Sequence, residues 1–184
     1  MTLPFSVPAT PANPVVRTAT RTDAEQIWGL VSCYVAEGLM LPRTLEQVAM
    51  NIDNYVVAVV NSKVVACAAL EEFSPSLAEV SSVAVAKTEH GKGLGTEVVL
   101  GVERLARARD IAEVFAMSLS DRFFLSLGYE TVSISRYPEK LARYGKLEAD
   151  GVEIVPKRCF QKILGNSWEL TALYEEPAQH LRAS

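Results

Sequence analysis

Two histidines, His90 and His180, and three cysteines, Cys33, Cys67 and Cys159, are the whole stock of imidazoles and thiols in 184 residues. So few imidazoles exclude a histidine-rich metal site, and neither has neighbours that suggest a Ser-His-Asp triad. The cysteines form no CxxC pair and are odd in number, which reads as free or buried thiols in a reducing compartment. An excess of basic charge is missing too. Lys and Arg total 18 against 22 Asp and Glu, a net charge of -4, so the footprint of a nucleic-acid binder is absent. No uncharged apolar run is long enough to span a bilayer. Nor does the start of the chain carry a basic stretch followed by an apolar one, so no secretory signal is expected. The expectation is a cytoplasmic, metal-free protein with no nucleic-acid or membrane partner.

What remains is ample for a core. Hydrophobic residues make up 49% of the chain and charged residues 22%, which excludes disorder throughout and suits one domain. Residues 1–14 hold Pro4, Pro8, Pro11 and Pro14 among small residues and are expected to form a mobile lead-in. Residues 15–19 then suit a strand. Thr22 and Glu25 have the spacing of a capping box, and Ile27, Leu30, Val31, Tyr34 and Val35 behind them predict an amphipathic helix over 23–37. Pro42 interrupts, and a short helix is expected over 45–52. Two apolar β-branched runs, 55–60 and 64–70, flank Asn61-Ser62-Lys63 and read as a buried hairpin. A third strand is expected over 79–86. After it come His90-Gly91-Lys92-Gly93-Leu94-Gly95 and a helical pattern through Val98, Val102, Leu105 and Ala106. Strands are further expected over 113–119, 129–135 and 152–164, with a short helix ending at Gly128 and a polar, helix-compatible stretch over 138–144. This order is a mixed α/β domain over 15–164 with a tail over 165–184, rather than a regular βαβ series.

Three glycines between a strand and a helix bare backbone N–H groups where the helix dipole is positive, a cradle for phosphate. A Walker loop needs Gly-Lys-Ser/Thr, and here Gly93 follows Lys92. A dinucleotide fold places its glycines after the first strand, whereas here a hairpin precedes them.

Val83-Ala84-Val85 followed by His90 to Gly95 resembles the acetyl-CoA motif of the GNAT acyltransferases, Arg/Gln-x-x-Gly-x-Gly/Ala, with His90 in the first position. The resemblance covers most of residues 15–164. It implies a mixed, mostly antiparallel sheet flanked by helices, with acetyl-CoA as cosubstrate. Val83, Ala84, Val85, His90, Gly91, Lys92, Gly93, Leu94, Gly95 and Thr96 are its implied contacts, with an oxyanion-binding N–H near Val83 to Val85. It also implies that Glu79 accepts the amine's proton. Many members carry an acidic tyrosine in a Phe-Tyr-x-x-x-Gly-Phe segment. Here Phe123-Phe124-Leu125-Ser126-Leu127-Gly128-Tyr129 puts Phe124 in its place, and Phe124 has no proton to give.

Val114-Phe115-Ala116-Met117-Ser118 is similar to the Phe-x-Leu-Ser/Thr stretch of bacterial N-acetylglutamate synthases, which implies Ser118 as proton donor to the leaving thiolate. Leu39-Met40-Leu41-Pro42-Arg43-Thr44 resembles that group's Leu-x-Pro-Arg-Ser loop, whose arginine faces the substrate carboxylate, and a guanidinium fork suits that task. Lys157-Arg158-Cys159 resembles its Arg-Ser segment, with Cys159 in place of Ser. Pro138-Glu139-Lys140, Arg143 and Tyr144 resemble its Pro-x-x-Lys…Tyr region. Arg43, Lys157 and Arg158 are thus the implied substrate-binding residues for an acceptor with two carboxylates and one amine. The expected activity is acetyl transfer to the α-amino group of L-glutamate. Another amino acid or small amine, or a non-catalytic acetyl-CoA sensor, is the alternative, and a homodimer is left open. The chain is too short for the arginine-binding kinase domain of the long forms, so feedback through that domain is not expected.

Overall fold

The computed structural model describes residues 13–165. Most of the expected lead-in and tail, residues 1–12 and 166–184, lie outside the described residues. Twelve elements of strand and α-helix follow one another: β1 (Val15–Thr18), α1 (Ala24–Ala36), α2 (Leu45–Met50), β2 (Tyr55–Val60), β3 (Lys63–Ser74), β4 (Leu77–Val85), α3 (Leu94–Ala108), β5 (Glu113–Ser118), α4 (Asp121–Ser126), β6 (Glu130–Val132), α5 (Pro138–Ala149) and β7 (Arg158–Ile163). The strands form one seven-stranded sheet in the order β1-β2-β3-β4-β5-β7-β6. Only β4 and β5 run parallel.

Helices cover both faces, which is why the central strands read as unbroken apolar runs rather than alternating ones. In β3 every residue from Val64 to Leu70 is buried. On one face α3 presents Leu94, Val98, Val102 and Ala106, a stripe of i, i+4 positions, to Val56, Leu70 and Val80. Gly101 makes the approach close, since a Cβ there would meet Val56 Cγ1 at 2.6 Å. On the other face Ile27 and Val31 of α1 and Val48 of α2 pack on Val57, Cys67 and Ala84. A small aromatic cluster, Phe115 stacked on Tyr137 with Cys159 beside them, fills the space by β5 and β7.

Three local expectations need correction. The acid that caps the entry to α1 is Asp23, not Glu25. Its carboxylate accepts from Thr20 N–H (2.7 Å) and the Thr20 hydroxyl (2.8 Å), and Arg17 clasps it at 2.7 and 3.0 Å. Thr22 and Glu25 have the same spacing two residues on, but the partner that decides the register, Arg17, comes from β1. The strand expected over 152–164 begins only at Arg158, and the strand expected over 129–135 stops at Val132 and turns. Between them α5 is a full helix of 12 residues with Pro138 in its first turn.

The Arg17 hydrogen bond, more than the Thr20 bonds, holds the Asp23 carboxyl down at about 2 against an ordinary 3.8. A depressed carboxyl adds stability above its unfolded pKa and loses it as pH falls through the folded one. Asp23→Asn is therefore expected to destabilise the fold at pH 7 by about 1 kcal/mol. The gap to wild type should close as pH drops from about 4 to about 2, measured by urea unfolding across that range.

Candidate active site

The site is opened by a parting of strands. β4 and β5 pair only from Leu77–Glu113 to Glu79–Phe115. Beyond that point β4 stays with β3 as far as Val85, while β5 stays with β7 as far as Ser118. Glu79 thus sits in the fork where the two strands separate. The departure is marked by a bulge: β3 advances from Cys67 to Ala69 while its partners on β4 pass from Ala84 to Ser81, one residue more. Ser82 takes the extra length in a left-handed conformation, φ +52°. A bulge withdraws backbone groups from the ladder, and this one lies beside Val83.

A cavity of about 250 Å³ occupies the fork. Its walls include Glu79, Ser81 and Val83 of β4, Ser118 of β5, Lys140 and Tyr144 of α5, Lys157, and Tyr34 and Arg43 from the α1–α2 side. Glu79 and Lys140 are each only 4% exposed. The Lys140 ammonium donates to both Glu79 oxygens, at 2.7 and 3.0 Å, and lies 4.7 Å from the Tyr144 ring centroid. A buried charge needs such pairing, since the desolvation of each ion costs several kcal/mol (on the order of 3 to 5 when one partner is removed). The Ser81 hydroxyl oxygen is buried with no hydrogen-bond partner among the described residues.

Arg43 is held in three ways. Its backbone carbonyl accepts from Trp28 Nε1 at 3.1 Å. Thr44 and Gln47 exchange hydrogen bonds of 3.1 and 2.9 Å as a capping box, fixing where the loop becomes α2. Its guanidinium donates from Nε to Ser82 Oγ (3.2 Å) and from Nη2 to Glu71 Oε2 (2.8 Å). Lys157 reaches across from the lead-in to β7 and donates to the Leu39 carbonyl at 2.6 Å. Burial pushes its pKa below the usual lysine value, with Glu79 opposing and Lys140 adding to the effect.

At the other end of β4 the glycine loop passes into α3. Gly91 and Gly93 have φ of +77° and +78°, which side chains rarely tolerate. A Cβ on either would meet nothing within 4 Å, so the loop faces open space with its backbone bare. Gly93 is the N-cap of the 15-residue helix α3, whose first-turn N–H groups and positive dipole end suit an anion. Gly95 is small for another reason, because a Cβ there would lie 3.4 Å from the Phe123 ring and 3.5 Å from Val85. His90 is exposed, with Nε2 3.0 Å from both the Val85 carbonyl and Tyr34 Oη. Tyr34 Oη also donates to the Val85 carbonyl (2.6 Å) and accepts from Val85 N–H (3.3 Å). Lys92 pairs with Glu89 at 2.9 Å. A forked sheet with a glycine cradle at one end and a buried carboxylate at its crotch can hold an extended phosphate-bearing thioester.

The acetyltransferase (GNAT) family matches residues 22–129. The chain belongs to the GNAT family. It is an enzyme, an acetyl-CoA-dependent N-acetyltransferase, and acetyl-CoA is its cosubstrate. An uncharacterized N-acetyltransferase of Chlorobaculum tepidum is 32% identical over 132 residues, covering 72% of this chain and 85% of the relative. The amino-acid acetyltransferase of Mycobacterium tuberculosis is 30% identical over 123 residues, 65% of this chain and 70% of that one. The amino-acid acetyltransferase of Pectobacterium atrosepticum is 29% identical over 127 residues, of which this chain spans only 29% of the length. Among solved structures, a Mycobacterium tuberculosis protein in complex with CoA and NLQ superposes with a TM-score of 0.71 at 25% identity, over 82% of this chain and 99% of that one. The fold is also that of N-acetylglutamate synthase from Neisseria gonorrhoeae, at a TM-score of 0.73 and 23% identity, over 86% of this chain and 37% of that one.

Within this GNAT domain the fold brings Glu79, Val83, Ser118, Arg43 and Lys157 to one cavity. Ser118 Oγ accepts from Ser120 N–H at 3.0 Å. Phe124 reaches the same wall but is a core residue, stacked on Phe160 with centroids 5.6 Å apart. Arg158 is not brought to the cavity. Its side chain is 68% exposed and pairs with Asp121 at 2.8 Å, because successive β7 residues face opposite ways and Cys159 takes the inward one. Burial raises the Cys159 thiol to about 11, with Glu79 adding to the rise, so it is a neutral member of the aromatic cluster rather than a nucleophile. The sequence reading left Lys140 and Glu71 without roles. Lys140 was marked only as part of the Pro138 to Tyr144 resemblance and Glu71 only as a polar residue ending an apolar run, and neither signal names a partner many residues away.

Proposed function

We propose that this enzyme transfers the acetyl group of acetyl-CoA to the α-amino group of L-glutamate, directly in a ternary complex, as the entry step to arginine synthesis. The observation that carries the reading is the placement of Arg43, whose guanidinium is braced by Ser82 and Glu71 on the wall of the cavity that holds Glu79. A braced guanidinium opposite a carboxylate base suits an acceptor that offers a carboxylate and an amine on one short chain. The named relatives that are amino-acid acetyltransferases support the same class.

Acetyl-CoA supplies the acyl thioester. Gly91, Gly93 and the first turn of α3 hold its pyrophosphate, and the parted β4 edge down to Val83 receives the rest. Glu79 accepts the proton of the acceptor's ammonium, leaving the nitrogen lone pair free to attack. The main-chain N–H at Val83 meets the charge that develops on the thioester oxygen. After attack the nitrogen carries one more surplus proton, and Ser118, whose oxygen accepts from Ser120 N–H, passes that proton through water to the departing sulfur, so that the hydroxyl is regenerated as the thiol leaves. Arg43 and Lys157 hold the acceptor's carboxylates. Arg158 would serve as a further clamp only after leaving Asp121.

The test is release of CoA from acetyl-CoA with each L-amino acid and with simple amines, against a blank without amine. A clear preference for L-glutamate supports the reading. Faster turnover of an amine without a carboxylate overturns it, and Cys159 in place of serine makes such a panel worth running in full.

A further inference from the structure

Glu71 faces Glu79 directly across the β3–β4 ladder. Two carboxylates opposite one another on adjacent strands repel, and the fold answers with cations from a single helix turn. Lys140 takes Glu79 and Arg143, three residues further along α5, takes Glu71 Oε1. The other Glu71 oxygen receives Arg43 Nη2 at 2.8 Å. Glu71 is therefore shared by two guanidiniums from two elements, the α1–α2 loop and α5. Burial and the nearby Arg43 charge push the Arg143 pKa down, as expected for two cations drawn together. Of the five Arg43 N–H donors, that of Nε goes to Ser82 and one of Nη2 to Glu71, so both Nη1 protons and the second of Nη2 are left for the acceptor.

We infer that Glu71 is a positioning residue that sets acceptor specificity. It fixes the Arg43 guanidinium one cross-strand step from the Glu79 carboxylate, and so sets the distance between the group that takes the amine's proton and the group that takes a carboxylate. It does not touch substrate itself. The inference rests on the reading of Arg43 as the acceptor clamp.

The experiment is steady-state kinetics on the full chain for Glu71→Gln, Glu71→Ala, Arg43→Ala and the Glu71→Ala/Arg43→Ala double variant, using the acceptor that wild type turns over fastest. Glu71→Ala is expected to raise the acceptor KM about tenfold or more, with acetyl-CoA KM and kcat within about twofold to threefold. Glu71→Gln, which keeps the shape and one oxygen acceptor, should fall between. The double variant should show no further rise over Arg43→Ala, because Glu71 acts through Arg43. An unchanged acceptor KM in Glu71→Gln and Glu71→Ala overturns the inference, as does a rise that multiplies in full on that of Arg43→Ala. If Glu71→Ala melts early, Glu71→Gln decides the matter alone. Failure of the glutamate reading shows separately, in wild type, as a preferred acceptor that lacks a carboxylate, and it takes the inference down with it.

Discussion

Glu79→Gln is expected to slow turnover about a hundred- to ten-thousandfold, the usual worth of a positioned general base. The acetyl-CoA KM should stay close to wild type, since the glycine loop is at the far end of β4. A loss of this kind has a second source that must be separated from the first. Glu79 is paired with Lys140 where each is only 4% exposed, so the single variant strands a buried ammonium and is expected to destabilise the fold by about 3 to 5 kcal/mol. Lys140→Met strands the carboxylate instead and should cost a similar amount. The double variant Glu79→Gln/Lys140→Met removes both charges, and its stability should return most of the way to wild type. Its turnover should not return. Recovery of turnover together with stability would mean that Glu79 is structural, and urea unfolding beside CoA-release kinetics on the same four proteins distinguishes the two.

Arg43→Ala is the second large effect. One charge-assisted hydrogen bond to a carboxylate contributes about 1.5 to 3 kcal/mol, which predicts an acceptor KM raised roughly ten- to 150-fold. The acetyl-CoA KM should change little, and kcat less than the acceptor KM. The neighbouring cations are already committed, since Lys157, anchored on the Leu39 carbonyl, holds the acceptor's other carboxylate and Arg143 is bound to Glu71. They are not expected to compensate. A fall confined to kcat would instead mean that Arg43 acts on the reaction and not on binding.

How much of this could be read from residues alone follows from what is local. The i, i+4 stripe of α3 and the apolar runs of β2 and β3 needed no partner to be recognised, and the glycine loop lay where its flanking strand and helix said it would. Residues 152–157 failed for a physical reason. Val152, Ile154 and Val155 read as a strand, but they precede the point at which β7 finds its partners on β5, and without a ladder they form no strand. The capping acid was displaced by two residues because Arg17, on β1, selects Asp23. In the site the same division holds. Arg43, Glu79, Ser118 and Lys157 were marked by the segments around them. Lys140 and Glu71 acquire their roles only when Glu71 falls opposite Glu79 and α5 crosses both. The exposed pairing of Arg158 with Asp121 is equally a matter of which face of β7 turns inward.

The account stands most directly on the ratio of kcat/KM for L-glutamate to that for L-glutamine, measured in wild type and in Arg43→Ala. The two acceptors share size, shape and an α-carboxylate and differ only in the side-chain carboxylate, the one assigned to Arg43. A preference for glutamate of at least about tenfold in wild type, collapsing toward parity in Arg43→Ala, is what the braced guanidinium predicts. Parity in wild type, or a glutamate preference that survives the loss of Arg43, would contradict it.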